Sequence, residues 1–591
     1  MRENILNIIP PGVYIDNQDN KVSNLELAPT AIAGFMGICE RGPMDKAVEI
    51  RDMNDFYTTF GKPVRNGFLA PAVEGFFRNG GRICHIIRIG HKGRLSDEGD
   101  RVARLDIMDG KGEPTLRFMA GSEGSWGNDL QVSIKKGKSE IRTLLTLDAK
   151  KGANIIRVSS TYGLSRGLLI KISSDNQEAY RYITDIRGKE LSWNAENPLK
   201  KTFRVDGPTH VEPVDFEVHI KYGNLVEVFK KLSFFKASPN YVVRVINTQS
   251  TLVRVIDLGS PSDLPLNLPQ ETDFSALQNG FEDISQITPD DFIGAQSNGD
   301  EKRGLAALDA VEDIELILAP DLMFLYQYNR EDHKRPFSSL SDIKVVQDTM
   351  LTHCEMHRDR FAILDSPFPD DIERTRDWRQ EFDSAHGAMY FPWIKTYFEN
   401  QDILLPPSGH VAGIYAASDA ATGVHKIPAN MPMEFVSDLS VVLWEEDIGI
   451  LNSNGIDCLR SIPAMGITIW GGRTLSSASD HKYINVRRTM SAVIRSLDSF
   501  MQWVVFEPNT RSLWKVITRQ VGYFLTTLWR NGYLQGQTPE EAFFVKCDDE
   551  NNPEKQRNDG MLVVDIGLAP VKPTEYILFR MAQEMQEVGG E

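Results

Sequence analysis

Two kinds of hydrophobic spacing alternate along the chain. Residues 31–38 and 84–89 are short, nearly unbroken apolar runs, the spacing of strands covered on both faces. Between them the period becomes helical. Residues 53–60 predict a short helix closed by Gly61. Residues 69–79 predict another, with Leu69, Val73, Phe76 and Phe77 on one face and Gly80-Gly81 at its end. From 91 to 310 the period changes to two. Short alternating strands such as 168–172 and 179–183 are separated by turn residues, the pattern of a β-rich domain. Within it, the stretch 260–304 is rich in Pro, Asp, Asn and Gly and reads as a long polar surface loop.

The α/β pattern resumes from 311, with strands at 315–319 and 360–365 running into loops. Two helices are predicted near 484–503 and 510–530. The first carries an apolar stripe of Met490, Val493, Ile494, Leu497 and Met501, with Arg488 and Arg495 on another face. In the second, Asn509 reads as the N-cap, Leu513, Val516, Ile517, Val521, Phe524, Leu525 and Leu528 as the core face, and Gly532 as the stop. Strands are expected around 561–568 and 576–581. The pattern therefore implies an α/β (α+β) core domain built from the N- and C-terminal parts of the chain (28–90 and 311–575). A β-rich inserted domain (91–310) separates them, and extended arms flank them (1–27 and 576–591).

Length supports this division, because 591 residues exceed a single core and imply three or four domains of about 100–200 residues. The net charge of −17 argues against a general binder of nucleic acid or anionic membrane. Five separated cysteines without a CxxC pair read as buried reduced thiols, and the N-terminus lacks the apolar stretch of a secretory signal. Synthesis in the cytoplasm is therefore expected. No apolar run approaches the ~20 residues of a membrane helix.

Chemistry-bearing motifs are weak. Gly163-Leu164-Ser165-Arg166-Gly167 has the letters of a nucleophile elbow, but an alternating strand follows it where the elbow requires a helix. His353 and His357 stand four apart, too few for a zinc site on their own, and read as ordinary helix surface. The Gly-rich stretch 121–128 and the acidic Trp444-Glu445-Glu446-Asp447 read as turns. No catalytic residue, metal ligand or cofactor is expected.

Several segments, weak singly but specific in order, resemble contractile tail sheath proteins of phages and phage-like injection particles. The N-terminal ones are Pro11-Gly12-Val13-Tyr14, Pro29-Thr30-Ala31-Ile32-Ala33-Gly34-Phe35-Met36-Gly37, Glu40-Arg41-Gly42-Pro43 and Gly124-Ser125-Trp126-Gly127-Asn128. Further on come Ala319-Pro320-Asp321, Tyr390-Phe391-Pro392-Trp393, Pro406-Pro407-Ser408-Gly409-His410, Thr468-Ile469-Trp470-Gly471-Gly472-Arg473, Val505-Phe506-Glu507-Pro508-Asn509 and Leu568-Ala569-Pro570-Val571. The resemblance implies a structural, non-enzymatic subunit that polymerises into a helical sleeve around an inner tube and contracts. It also implies that the terminal arms link subunits by adding strands to neighbouring copies. The candidates are Ile8, Ile9, Val13, Tyr14 and Ile15 at one end and Tyr576, Leu578 and Phe579 at the other.

The implied partners are further copies of the chain, the tube protein, and baseplate and tail terminator or cap proteins, with no nucleic acid and no membrane insertion. Charge marks a second surface. Residues 482–535 hold eight basic and two acidic residues in an otherwise acidic chain, and Arg487, Arg488, Arg495, Arg511, Lys515 and Arg519 are expected to form a tube-facing patch, with an acidic face of the next subunit as the alternative partner. The rival readings are a sheath-like baseplate or collar component and a cytosolic α/β hydrolase.

Overall fold

A computed structural model describes residues 25–91, 101–137, 141–174, 177–260, 262–294 and 302–575. At its centre is an eight-stranded sheet. Its strand order is Val48–Ile50, Cys84–Arg88, Ala33–Gly37, Leu316–Leu318, Phe361–Asp365, Gly387–Phe391, Ile456–Ile462 and Gly466–Trp470. The six inner strands run parallel, and only the two edge pairings are antiparallel. Parallel strands carry helices over both faces, which explains why most of these strands are apolar at every position.

Strands from residues 33–88 and 316–470 alternate in no simple way. The chain builds half the sheet, leaves, and returns to finish it, so Ala33 pairs with Cys84 on one side and Leu316 on the other. Helices Leu69–Arg78 and Ser408–Ala421 cross at close range on this sheet. A Cβ on Gly75 would lie 2.2 Å from the His410 ring, and one on Gly409 would lie 2.3 Å from the Ala72 carbonyl oxygen. Glycine is required there for the backbones to approach.

The excursion between the two halves holds two β-rich bodies, one nested in the other. The outer body packs Ile107, Phe118, Trp126, Val132, Val218, Ile220 and Val255. The inner one, from residues 141–211, packs Ile156, Ile170, Ile172, Leu191, Trp193 and Phe203. The stretch 260–304 is not the expected loop. Thr272–Ala276 is a strand paired with Gln131–Lys136, and Pro289–Ile293 is a helix with a Thr288–Asp291 capping box. Within it Ile287 and Phe292 enter the core of the large sheet, joined just beyond it by Leu305 and Leu308. Apolar anchors outweigh the polar composition around them.

The two C-terminal helices span Ile484–Met501 and Arg511–Arg530. The cap of the second is Thr510, whose hydroxyl accepts from Leu513 N, and not Asn509. The Asn509 side chain instead accepts from the Trp514 indole at 2.7 Å and donates to the Met561 carbonyl. The strand expected at 561–568 is shorter, Asp565–Leu568, and pairs antiparallel with Phe543–Lys546.

Candidate assembly site

The first C-terminal helix is amphipathic in an unusual way. Its inner face holds small and polar residues, Asn485, Arg488, Ser491, Ala492, Arg495 and Ser496, all buried. Small side chains let the helix approach the sheet, and the two arginines are drawn inside. Arg488 lies wholly out of water. Its guanidinium donates to both carboxylate oxygens of Glu315 at 2.7 and 2.9 Å and both of Asp419 at 3.0 and 2.6 Å. It also stacks on the Tyr415 ring, 4.6 Å from its centroid.

Burial alone would raise the Glu315 carboxyl, but the Arg488 charge and hydrogen bonds outweigh it and hold the group below its usual range. Burial, followed by the Glu315 charge, keeps Asp419 above its range despite Arg488. Burial opposes the charge on Arg488, yet the two carboxylates hold its pKa well above the ordinary arginine value.

Arg495 is similarly committed. It reaches the Asp359 carboxylate at 3.1 Å and the carbonyls of Asp359 at 2.5 Å, Pro29 at 3.1 Å and Ile314 at 3.4 Å. Half-buried Arg487 donates to the Arg358 carbonyl at 3.3 Å. The predicted basic patch therefore splits. Arg488 and Arg495 are interior clamps and do not form a surface, because partners distant in sequence surround them.

The exposed part lies on the second helix. Arg511, Lys515 and Arg519 follow at spacings of four on its solvent face, continued by Tyr523. Trp514, Ile517, Val521, Phe524, Leu525 and Leu528 cover the opposite face. Arg511 has one exposed partner, Asp549, at 2.9 Å. Before this helix, Phe506 stands fully exposed with φ at +72°.

Both ends of the described chain meet the first C-terminal helix. At the N-terminal side, Ala28 N donates to the Ser496 hydroxyl at 2.8 Å, Arg495 holds the Pro29 carbonyl, and Ala31 N donates to Glu315 at 2.5 Å. Leu25 and Leu27 pack against the apolar cluster that Val493 shares with the second helix. At the C-terminal side, the Asn485 amide donates to the Val571 carbonyl at 2.9 Å, and Arg473 forks onto Glu575 with two bonds of 2.8 Å. The two-stranded sheet Phe543–Lys546 and Asp565–Leu568 packs next to these helices. Among the described residues neither strand pairs with a third. The arm candidates Ile8, Ile9, Val13, Tyr14, Ile15, Tyr576, Leu578 and Phe579 lie outside the described residues.

The clamp partners Glu315, Asp419 and Asp359 escape a sequence reading, since nothing local joins them to Arg488 or Arg495. The one available signal is the run of small residues, Ser491, Ala492 and Ser496, beside two arginines on a face that approaches the sheet.

The histidine pair differs from expectation. His353 is buried and only His357 reaches the surface. His357 Nε2 lies 2.9 Å from Asp309 Oδ1, so Asp309, His353 and His357 form a trio of potential ligands. Arg360 already supplies a cation there. Its Nη1 donates to His353 Nε2 at 2.7 Å, while Nη2 is fixed on the carbonyls of Leu308 and Val311 at 3.0 Å. Burial and the Arg360 charge push the His353 pKa down to about 3. The trio is an ion cluster of the fold, completed by its own guanidinium. Gly163 and Gly167 flank a turn that leads into the strand Leu169–Ser174, without the helix a nucleophile elbow requires.

Both ends of the described residues thus meet the Ile484–Met501 helix near a two-stranded sheet whose outer edges are unpaired among the described residues. Two family models match in succession, the phage tail sheath protein central domain over residues 337–475 and the phage tail sheath C-terminal domain over 476–584. The chain belongs to the contractile tail sheath protein family.

It is 27% identical over 228 residues to a putative prophage major tail sheath protein of Pseudomonas aeruginosa, covering 37% of this chain and 57% of that one. It is 21% identical over 276 residues to the tail sheath protein of Salmonella phage ViI, covering 44% and 42%. The chain thus spans about half the length of the curated relatives it matches. Its fold is that of the helical sheath of the anti-feeding prophage in its contracted state, with a TM-score of 0.52 at 18% identity over 98% of this chain and 99% of that one.

Proposed function

We propose that the chain is a subunit of a contractile sleeve, stacking in many copies around an inner tube and shortening to drive that tube through a target envelope. The observation that carries this reading is the convergence of residues 25–31 and 571–575 on one clamped helix beside a two-stranded sheet whose outer edges are unpaired among the described residues. A two-stranded sheet alone is marginal in water. Arms 1–27 and 576–591 of neighbouring copies would complete it, each main-chain hydrogen bond contributing about 0.5–1.5 kcal/mol net. Such contacts are heterologous and generate an open helix. Because the arm roots are fixed to the Ile484–Met501 helix, links survive while subunits rotate as rigid bodies from an extended to a contracted packing.

The face Arg511, Lys515 and Arg519 turns toward an acidic tube. Baseplate and terminator or cap proteins hold the ends of the sleeve. Assembly takes place in the cytoplasm of the producing cell, and the product is a phage tail or phage-like particle. The test is electron microscopy of the purified full chain mixed with its tube protein. Wild type should form sleeves on tubes. The variant Arg511→Glu, Lys515→Glu, Arg519→Glu should remain folded and lose co-assembly with the tube; unchanged co-assembly would remove the tube-facing assignment.

A further inference from the structure

Charge is divided unevenly between the inner β body and the rest of the chain. Residues 141–211 hold 12 Lys and Arg against 7 Asp and Glu, leaving 53 against 75 elsewhere. The basic excess gathers at one tip of the inner β body. There the chain around Ala149 pairs with the chain around Phe203 through reciprocal 2.9 Å backbone bonds, and Gly152 N donates to the Leu199 carbonyl at 2.8 Å. This pairing brings Lys150, Lys151, Lys200, Lys201 and Arg204 together, all exposed and without an ion pair among the described residues. Asp148 lies nearby but is engaged by Val205 N. Leu147 and Val205 add exposed apolar surface.

A surface of opposite character lies on the core. Helix Glu445–Ser453 begins with Glu445, Glu446 and Asp447. Asp447 caps the Trp444 amide at 2.9 Å, while Glu445 and Glu446 face solvent. Trp444 is 73% exposed, beside Val442 at 66% and Ile450 at 47%. A tryptophan and two aliphatic residues left in water next to unpaired carboxylates mark an interface.

We infer that the basic tip of the insert docks on the acidic, apolar face of helix Glu445–Ser453 in an adjacent copy. Each surface supplies what the other lacks, cations for carboxylates and exposed aliphatic groups for an exposed indole. Complementary potentials steer encounter and fix register. The contact joins different patches of identical chains, so it repeats along an open assembly. It rests on the sleeve reading and gives the insert a lattice role separate from the terminal arms.

The experiment measures the concentration at which the full chain assembles at low salt. One variant reverses the tip (Lys150→Glu, Lys151→Glu, Lys200→Glu, Lys201→Glu), a second reverses the face (Glu445→Lys, Glu446→Lys), and a third combines both. Each reversal alone should raise that concentration by about tenfold or more, and the combination should return to within about threefold of wild type. Trp444→Ala should weaken assembly without altering charge. Thermal melting should match wild type throughout, because the reversed side chains are exposed. Single-side variants that assemble normally, or a combination no better than the worse parent, would overturn the contact and leave the sleeve reading standing. A wild-type chain that never exceeds monomer size, with or without its tube, would overturn both.

Discussion

Arg488 sits in the second turn of the Ile484–Met501 helix with none of its side chain in water, whereas Arg511 opens the next helix with 73% of its side chain exposed. By composition the two helices are alike, each amphipathic and each basic. Their cations do opposite work. On the first helix the guanidinium groups hold carboxylates and carbonyls of the core and the root of the N-terminal segment. On the second, the cations leave one face of the fold positively charged in an acidic molecule. A count of charges along a sequence therefore measures the sum of two populations, and only the position of distant acids separates them.

The comparison is broken most severely by removing one clamp. Arg488→Met leaves Glu315 and Asp419 buried without a counter-ion and should cost roughly 3–5 kcal/mol, read by chemical denaturation. Neutralising the trio together, Arg488→Met with Glu315→Gln and Asp419→Asn, should recover most of that loss. A similar cost for the triple variant would show that packing and not charge governs the site.

The next effect is pH dependence. Burial pushes Asp365 and Asp457 up to about 7, against one Ser408 hydroxyl and two backbone N–H donors, those of Ser408 and Arg473. Their folded values lie above the unfolded value of about 3.9, so the folded state binds more protons between these limits. Stability contributed by these groups is present below about pH 4 and is lost as pH rises toward 7. Asp457→Asn should flatten part of this fall and add about 2 kcal/mol at pH 8, measured by melting across pH.

Smaller effects sharpen the contrast from the other side. Thr510→Ala removes the cap that starts the exposed helix and should cost about 1 kcal/mol. Replacing Lys515 and Arg519 with Gln should change stability by less than about 0.5 kcal/mol, since neither is paired within the fold among the described residues.

What was legible in the sequence follows from range. The strands Ala33–Gly37, Cys84–Arg88 and Phe361–Asp365 announce themselves as short apolar runs, and the helices Met53–Phe60 and Arg511–Arg530 through their spacing. These signals need only near neighbours. In the stretch 260–304 the polar majority masks Ile287 and Phe292, whose partners lie on the large sheet. The site was misread for the same reason. Arg488 meets Glu315 across 173 residues of sequence and Asp419 across 69, and Arg495 meets Asp359 across 136. The motif order carried the family, while no local pattern could say which arginines the fold keeps for itself.

The central claim is that subunits are joined through their ends, rooted on the Ile484–Met501 helix. Its most direct measurement is electron microscopy of sleeves formed by the full chain and by a chain lacking residues 1–24 and 576–591, with folding of both verified by melting. The account predicts that the shortened chain folds, since the clamps and sheet are intact, but forms no continuous sleeve. Sleeves of normal length and contraction from the shortened chain would contradict it.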